Sequence, residues 1–431
     1  MTKKIIIGLG LFFLFTFIVI LIIPSSRESI TWRVDQTLIR LRSLVSPPQD
    51  VSFNPKPTGN FSLDATLTAL APTAGFPITS NPSQTPAPTI VPTLTLTPLP
   101  ENASIMGGKY FSQHNFFNYC APANLAMAMS YWGWDGDIQD VGLGLKPNDK
   151  DKNVMPYEME EYARLQGLGA ITRVGGDMDT IRRFVAAGFP VLLEKGVFFR
   201  DLQGSLSWMG HYQVVTGYDD ARKKVTAQDS FIKPNYEQSY ESLLIEWKGF
   251  NHTYTILYPP EKEQEVQDLL GEDADEIQNY KNTYLKTSEL VYQETGMDQF
   301  FDWYNIGTNL VRLQDYNGAA QAYDQAFVVY NNLPKELNKR PYRILWYQTG
   351  PYFAYFYTGR YWDVINYATE NSIKLVRDNE PALEESFYWR GMARQALGDL
   401  QGAIEDQQQA LIYHAGFAPS LQALQSLGVN P

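Results

Sequence analysis

The chain has 431 residues, a formal net charge of −12 and a hydrophobic fraction of 44%. That length accommodates two or three domains with real cores, and the acidic balance argues against nucleic acid and against any general attraction to anionic lipid. A single cysteine excludes an intrachain disulfide and a thiolate-rich zinc site.

Ile5 to Ile23 is a run of 19 uncharged, almost wholly apolar residues. At about 1.5 Å per residue it nearly spans a hydrocarbon core of roughly 30 Å. A cleaved signal peptide has a shorter apolar region and ends in small residues, whereas "PSSRES" follows here without an A-x-A site. Residues 5–23 are therefore expected to be an uncleaved anchor, making a single-pass protein of the cell membrane. Lys3 and Lys4 favour an inside N-terminus, while Arg27, Arg33, Arg40 and Arg42 pull the other way. Ile30, Val34, Leu38, Leu41 and Val45 recur at helical spacing, as a continued helix or as an amphipathic segment lying on the membrane.

Residues 24–104 read as a linker that is increasingly rich in Pro and Thr. "SNPSQTPAPTIVPTLTLTPLP" has no amphipathic period and too little apolar surface to offset ordering, so an extended, disordered spacer is expected. Such a spacer places the bulk of the chain outside the cytoplasm.

Residues 105–260 read as a globular α+β domain. In "NFFNYCAPANLAMAMSYWG" Pro122 suits a first helical turn, Leu125, Met129 and Trp132 form a helical stripe, and Gly133 is a natural stop. Cys120 falls at the N-terminal end of that helix, where unpaired N–H groups and the helix dipole favour a thiolate nucleophile. An isolated cysteine is otherwise a small buried hydrophobe. A nucleophilic thiol needs a base, a group to orient that base, and donors for an oxyanion.

The histidines are His114, His211, His252 and His414. His414 lies in the C-terminal helical stretch and His114 in the loop before Cys120. His211 opens "HYQVVTGYDD", an alternating strand, and "KKVTAQDS" follows as a second strand carrying Asp229. A three-residue loop at Asp219–Ala221 would set Tyr218 opposite Arg222, Val215 opposite Val225 and His211 opposite Asp229, close enough for the carboxylate to fix the imidazole tautomer. An even loop would put the pair on opposite faces and make His252 the next candidate base. Gln113, upstream of the cysteine, could add its amide to an oxyanion hole. "PYEMEEYARLQGLG" and "MDTIRRFVAAG" read as amphipathic helices, "FPVLLEK" as a buried strand, and "LKPNDKDKN" as a solvated loop without calcium-loop spacing. No metal or cofactor is called for.

"YFSQHNFFNYCAPANLAMAMSYWG", "FPVLLEKG", "GHYQVVTGYDD" and "AQDS" together resemble the papain-like bacteriocin-processing (double-glycine leader) peptidases, in particular their stand-alone branch, over about residues 107 to 258. The resemblance implies a papain-like cysteine peptidase acting on peptide or protein substrates. Cys120 would be its nucleophile, His211 its base, Asp229 the orienting group and Gln113 the oxyanion donor. Two positions depart from the family: Ala121 stands where glycine is usual, and Ser230 where proline often follows the aspartate. The same groups would also serve an acyl- or amide-transfer enzyme, or survive in a silent peptide-binding module.

Residues 261–431 read as all-α. "WYNIGTNLVRLQDYNGAAQAYDQA" resembles a tetratricopeptide repeat at Trp303, Gly307, Tyr316, Ala319, Tyr323 and Ala326, and "GRYWDVINYA" and "FYWRGMARQALGDLQGAIEDQQQA" repeat it less faithfully. Gln314, Gly359 and Gly398 align at spacings of 45 and 39, against about 34 in the repeat family. Gly307 and Gly391 are expected at close helix crossings. The resemblance implies a groove for a peptide or protein partner, although stacking alone would also demand these aromatics.

Overall fold

The structure, a computed structural model, describes residues 98–431 except 117, 147–153, 201–205, 337–338, 374–382 and 431, together with the isolated positions 34, 37, 41, 53, 55 and 56. The apolar run 5–23, most of the spacer and most of the "LKPNDKDKN" loop lie outside the described residues. Among the described residues no helix is long and apolar enough to cross a membrane. Val34, Thr37 and Leu41 are helical and exposed.

The first region is an antiparallel sheet between two helical layers. Its strands are β1 (Asn102–Ser104), β2 (Gly169–Arg173), β3 (Val191–Arg200), β4 (Leu206–Asp219), β5 (Lys224–Asp229), β6 (Lys233–Ser239) and β7 (Tyr254–Tyr258). Their order is β2-β7-β3-β4-β5-β6, with β1 also paired to β4. Alternation along β3 divides the core. Leu192 joins Val214 and Leu257 under α1 (Cys120–Ser130), α2 (Ile138–Leu145) and α3 (Pro156–Leu165). Val191 and Leu193 face α4 (Met178–Ala186) and α5 (Tyr240–Lys248).

Helix α1 is buried all round from Ala121 to Ser130, broader than a single stripe, and it ends before Trp132. A helix without a polar face belongs inside a core, which fixes the position of its first residue, Cys120.

The β4–β5 hairpin corrects the expected register. Asp219 pairs with Lys224 and Tyr218 with Val225, so the loop holds four residues rather than three. Arg222 N donates to Asp219 Oδ1 at 2.9 Å and Lys223 takes a φ of 51°, a turn that needs one residue more than Asp219–Ala221 supplies. By itself this even loop would put His211 and Asp229 on opposite faces. A bulge between Val215 and Gly217 then absorbs a residue, so that Val215 faces Ala227 and Val214 faces Gln228. Continuing that register puts His211 and Asp229 on one face as diagonal neighbours rather than directly opposed partners.

After α6 (Glu263–Leu270) the chain is helical: α7 (Glu276–Leu290), α8 (Gly296–Arg312), α9 (Tyr316–Asn332), α10 (Ile344–Tyr347), α11 (Gly350–Tyr357), α12 (Tyr361–Asn366), α13 (Glu384–Ala396), α14 (Leu400–Tyr413) and α15 (Ala418–Ser426). Two glycines mark close approaches. A Cβ on Gly307 would meet the Tyr323 ring at 2.8 Å, and one on Gly391 would meet Ala403 O at 3.2 Å.

The helices dock firmly on the sheet domain. Asn279 clamps Val174 by accepting from its N–H and donating to its carbonyl, each at 2.9 Å. Asn251 Nδ2 donates to Asn309 Oδ1 at 2.7 Å, and Gln348 Nε2 to Gly249 O at 2.9 Å. Trp208 of β4 stacks on Phe250 at 5.6 Å and shares one aromatic core with Phe301 and Tyr304. Within the stretch read as spacer, Phe53 is buried in that same core against Phe327, at 4.8 Å, and Tyr367, at 5.3 Å. Its carbonyl accepts from Asn331 Nδ2 at 2.9 Å.

Candidate active site

Cys120, His211, Asp229 and Gln113 converge from four separate segments. Cys120 is half-buried at the first turn of α1, and His211 and Asp229 are buried on β4 and at the end of β5. The imidazole Nε2 meets Asp229 Oδ1 at 2.9 Å. The Cys120 thiol interacts with the same ring, and with Nε2 engaged by Asp229 the other nitrogen, Nδ1, is the one left for it. A carboxylate, an imidazole and a thiol in that sequence can pass a proton between sulfur and ring while the carboxylate holds the tautomer.

Asp229 is pinned from several sides. Its Oδ1 also accepts from Phe231 N at 3.0 Å and Ile232 N at 2.9 Å. Its Oδ2 has no hydrogen-bond partner, but the buried Lys195 Nζ lies 3.9 Å away. Lys195 stands beside His211 across the β3–β4 ladder and pairs with Glu246 at 3.0 Å. Burial alone would raise the Asp229 carboxyl. The His211 charge and hydrogen bond, Lys195 and the Ile232 amide outweigh it and bring the carboxyl down to about 2. For His211, burial opposes the charge, yet Asp229, aided by Cys120, pushes the ring up to about 9.

Gln113 is held at both its backbone and its side chain by Ser230. Its backbone N–H donates to Ser230 O at 3.0 Å, and its Oε1 accepts from Ser230 Oγ at 2.6 Å. With the carbonyl occupied, the amide NH2 is the end left to point elsewhere. Ser230 Oγ in turn accepts from Asn124 Nδ2 at 2.8 Å, and the same nitrogen donates to Cys120 O at 2.8 Å. Asn124, one turn beyond the cysteine, thus ties the start of α1 to the glutamine through Ser230. Proline at 230 could not supply that hydroxyl.

The other histidines have different partners. His114 stacks on Phe231 at 5.3 Å, and His414 pairs with Glu384 at 3.0 Å in the helical region. His252 packs on Trp247, and burial, with the charges of Lys286 and Lys248, pushes it down to about 4. Sequence reading missed Lys195, Asn124 and Ser230 as supports. Lys195 carried a signal: a charge within the apolar strand "FPVLLEKGVFF" must find a buried partner. Asn124 and Ser230 carried none, because their meeting depends on tertiary placement.

Residues 106–259 match the sequence profile of the Peptidase_C39 like family. Among solved structures, the chain is similar to the crystal structure of a double glycine motif protease from an AMS/PCAT transporter in complex with the leader peptide. The identity is 15%, over 36% of this chain and 98% of that one, with a TM-score of 0.26. No curated protein matches. The match takes in all four convergent residues, and the helical region lies beyond it.

Proposed function

We propose that this protein is a cysteine peptidase in which Cys120 attacks a peptide carbonyl, His211 holds and returns the proton, Asp229 orients the ring, and Gln113 donates to the oxyanion. The observation that carries this reading is the His211 imidazole lodged between Asp229 and Cys120. In the chemistry, sulfur bonds to the carbonyl carbon while the imidazolium gives its proton to the departing amine. Water, deprotonated by the neutral imidazole, then releases the acid and frees the thiol. The α8–α15 region would bind peptide or a protein partner as tetratricopeptide-like helix pairs. The apolar run Ile5–Ile23 would anchor the chain in the cell membrane, with residues beyond it outside the cytoplasm.

The test is incubation of wild-type protein and Cys120→Ala with a pooled random dodecapeptide library, read by mass spectrometry. Cleavage by the wild type alone supports the proposal. Equal, background cleavage by both overturns it in favour of a silent binding domain. Protease shaving of intact cells tests the location: release of a fragment containing Cys120 is expected, and protection until permeabilisation would contradict it.

A further inference from the structure

Between the sheet domain and the helices runs a cleft of about 1170 Å³. One wall carries Tyr157, Arg164 and Ile171, from α3 and β2, and the opposite wall carries Thr308, Tyr357 and Trp389. Its walls are fixed in relation to each other by the Asn251–Asn309 and Gln348–Gly249 hydrogen bonds. The volume exceeds the roughly 300–1,000 Å³ that suits a drug-sized ligand, so several amino-acid residues fit.

The cleft reaches the catalytic strand. Tyr347, on its lining, packs against Gly210, where an added Cβ would stand 3.3 Å from two atoms of its ring. The adjacent His211 points to the other face of the strand, while the Tyr347 hydroxyl lies within electrostatic range of Cys120. Glu194 also lines the cleft, opposite Tyr212 across the β3–β4 ladder, and the Tyr212 hydroxyl lies within electrostatic range of Cys120 as well. Large rings are exposed on both walls, with Tyr157 49% and Tyr357 56% accessible. Exposed aromatic faces interspersed with hydroxyl, amide and charged groups match the alternating apolar and polar demands of a polypeptide backbone with its side chains.

We infer that this cleft binds an extended polypeptide segment and delivers it to Cys120, so that the helical region supplies substrate subsites. The inference rests on the peptidase reading for the identity of the bound chain as substrate. Fixed walls admit a threaded, unfolded segment and exclude a folded domain.

The experiment uses the full chain carrying Cys120→Ala, with the photo-crosslinker p-benzoylphenylalanine placed at Tyr157 and the random dodecapeptide library as probe. Peptide should crosslink at 157, and Tyr357→Ala on the opposite wall should reduce the yield about tenfold, a loss of the size expected for one well-placed aromatic contact. The crosslinker placed instead at Ile412, exposed and outside the lining, gives the background. In the otherwise unaltered chain, iodoacetamide labelling of Cys120 at the wild-type rate shows that Tyr357→Ala leaves the fold intact. Background crosslinking at 157 overturns the inference, and library cleavage by the wild type in that case leaves the peptidase reading standing. Crosslinking without any cleavage upholds the cleft as a peptide site and overturns the peptidase reading instead.

Discussion

The hydroxyl of Ser230 donates to Gln113 Oε1 at 2.6 Å, and this bond sets which end of the glutamine amide is free to donate. The orientation of the Gln113 amide therefore depends on a fully buried hydroxyl behind it. Ser230→Ala removes the bond in a fully buried site and lets the amide rotate. We expect kcat for a cleaved library peptide to fall about fivefold with little change in KM, since one neutral hydrogen bond contributes about 1 kcal/mol. Gln113→Ala should cost more, about a hundredfold, by removing the donor itself. Equal losses in the two variants would show that Ser230 acts on the fold.

The His211–Asp229 pair makes stability depend on pH with opposite signs at the two ends. The His211 pKa rises from 6.5 to about 9, so its contribution is full below pH 6.5 and is lost as pH rises through about 9. The Asp229 pKa falls from 3.8 to about 2, so its contribution is full above pH 3.8 and is lost as pH falls through about 2. Urea denaturation between pH 6 and pH 10 should show wild type losing up to roughly 3 kcal/mol relative to His211→Gln, from the size of the imidazole shift. Parallel curves for the two proteins would contradict the assignment.

Much of this site was legible in the sequence, and the part that was not has a definite physical cause. The helix at Cys120, the strand at Val191 and the hairpin carrying His211 and Asp229 follow from local period and punctuation. Loop length does not: the turn runs to four residues, and alternation in "HYQVVTGYDD" cannot reveal that the bulge at Val215–Gly217 restores the face. Gly217 was the available sign, since glycine within a strand marks a bulge or a close approach. A Cβ there would stand 3.2 Å from Ala103 O of β1. The docking of the helices depends on pairs such as Asn251–Asn309, far apart in the chain and invisible to periodicity.

Gly391 faces Ala403 O and Gln407 across the α13–α14 crossing. Gly391→Val must separate two packed helices, at a cost of about 1–3 kcal/mol. A lower Tm by scanning calorimetry is expected, with iodoacetamide labelling of Cys120 unchanged. An unaltered Tm would mean that this crossing is loose.

Phe53 fills an aromatic socket formed by Phe327, Tyr355 and Tyr367. Phe53→Ala should destabilise the helical region by about 3–5 kcal/mol, as for other buried phenylalanines. It should also speed proteolytic cleavage near residue 53. Identical denaturation midpoints and cleavage rates for wild type and variant would place Phe53 outside the core.

In the proposed function Cys120, His211 and Asp229 act together on a peptide carbonyl. The most direct measurement is covalent capture by peptidyl acyloxymethyl ketones, which need an activated thiol and its imidazole partner, followed by intact-protein mass spectrometry. One adduct per chain is expected, located on Cys120. The adduct should be absent in His211→Ala and form at least about a hundredfold more slowly in Asp229→Asn, whose amide can hold the wrong tautomer. Capture at the same rate in all three proteins, or none in the wild type, would contradict that function.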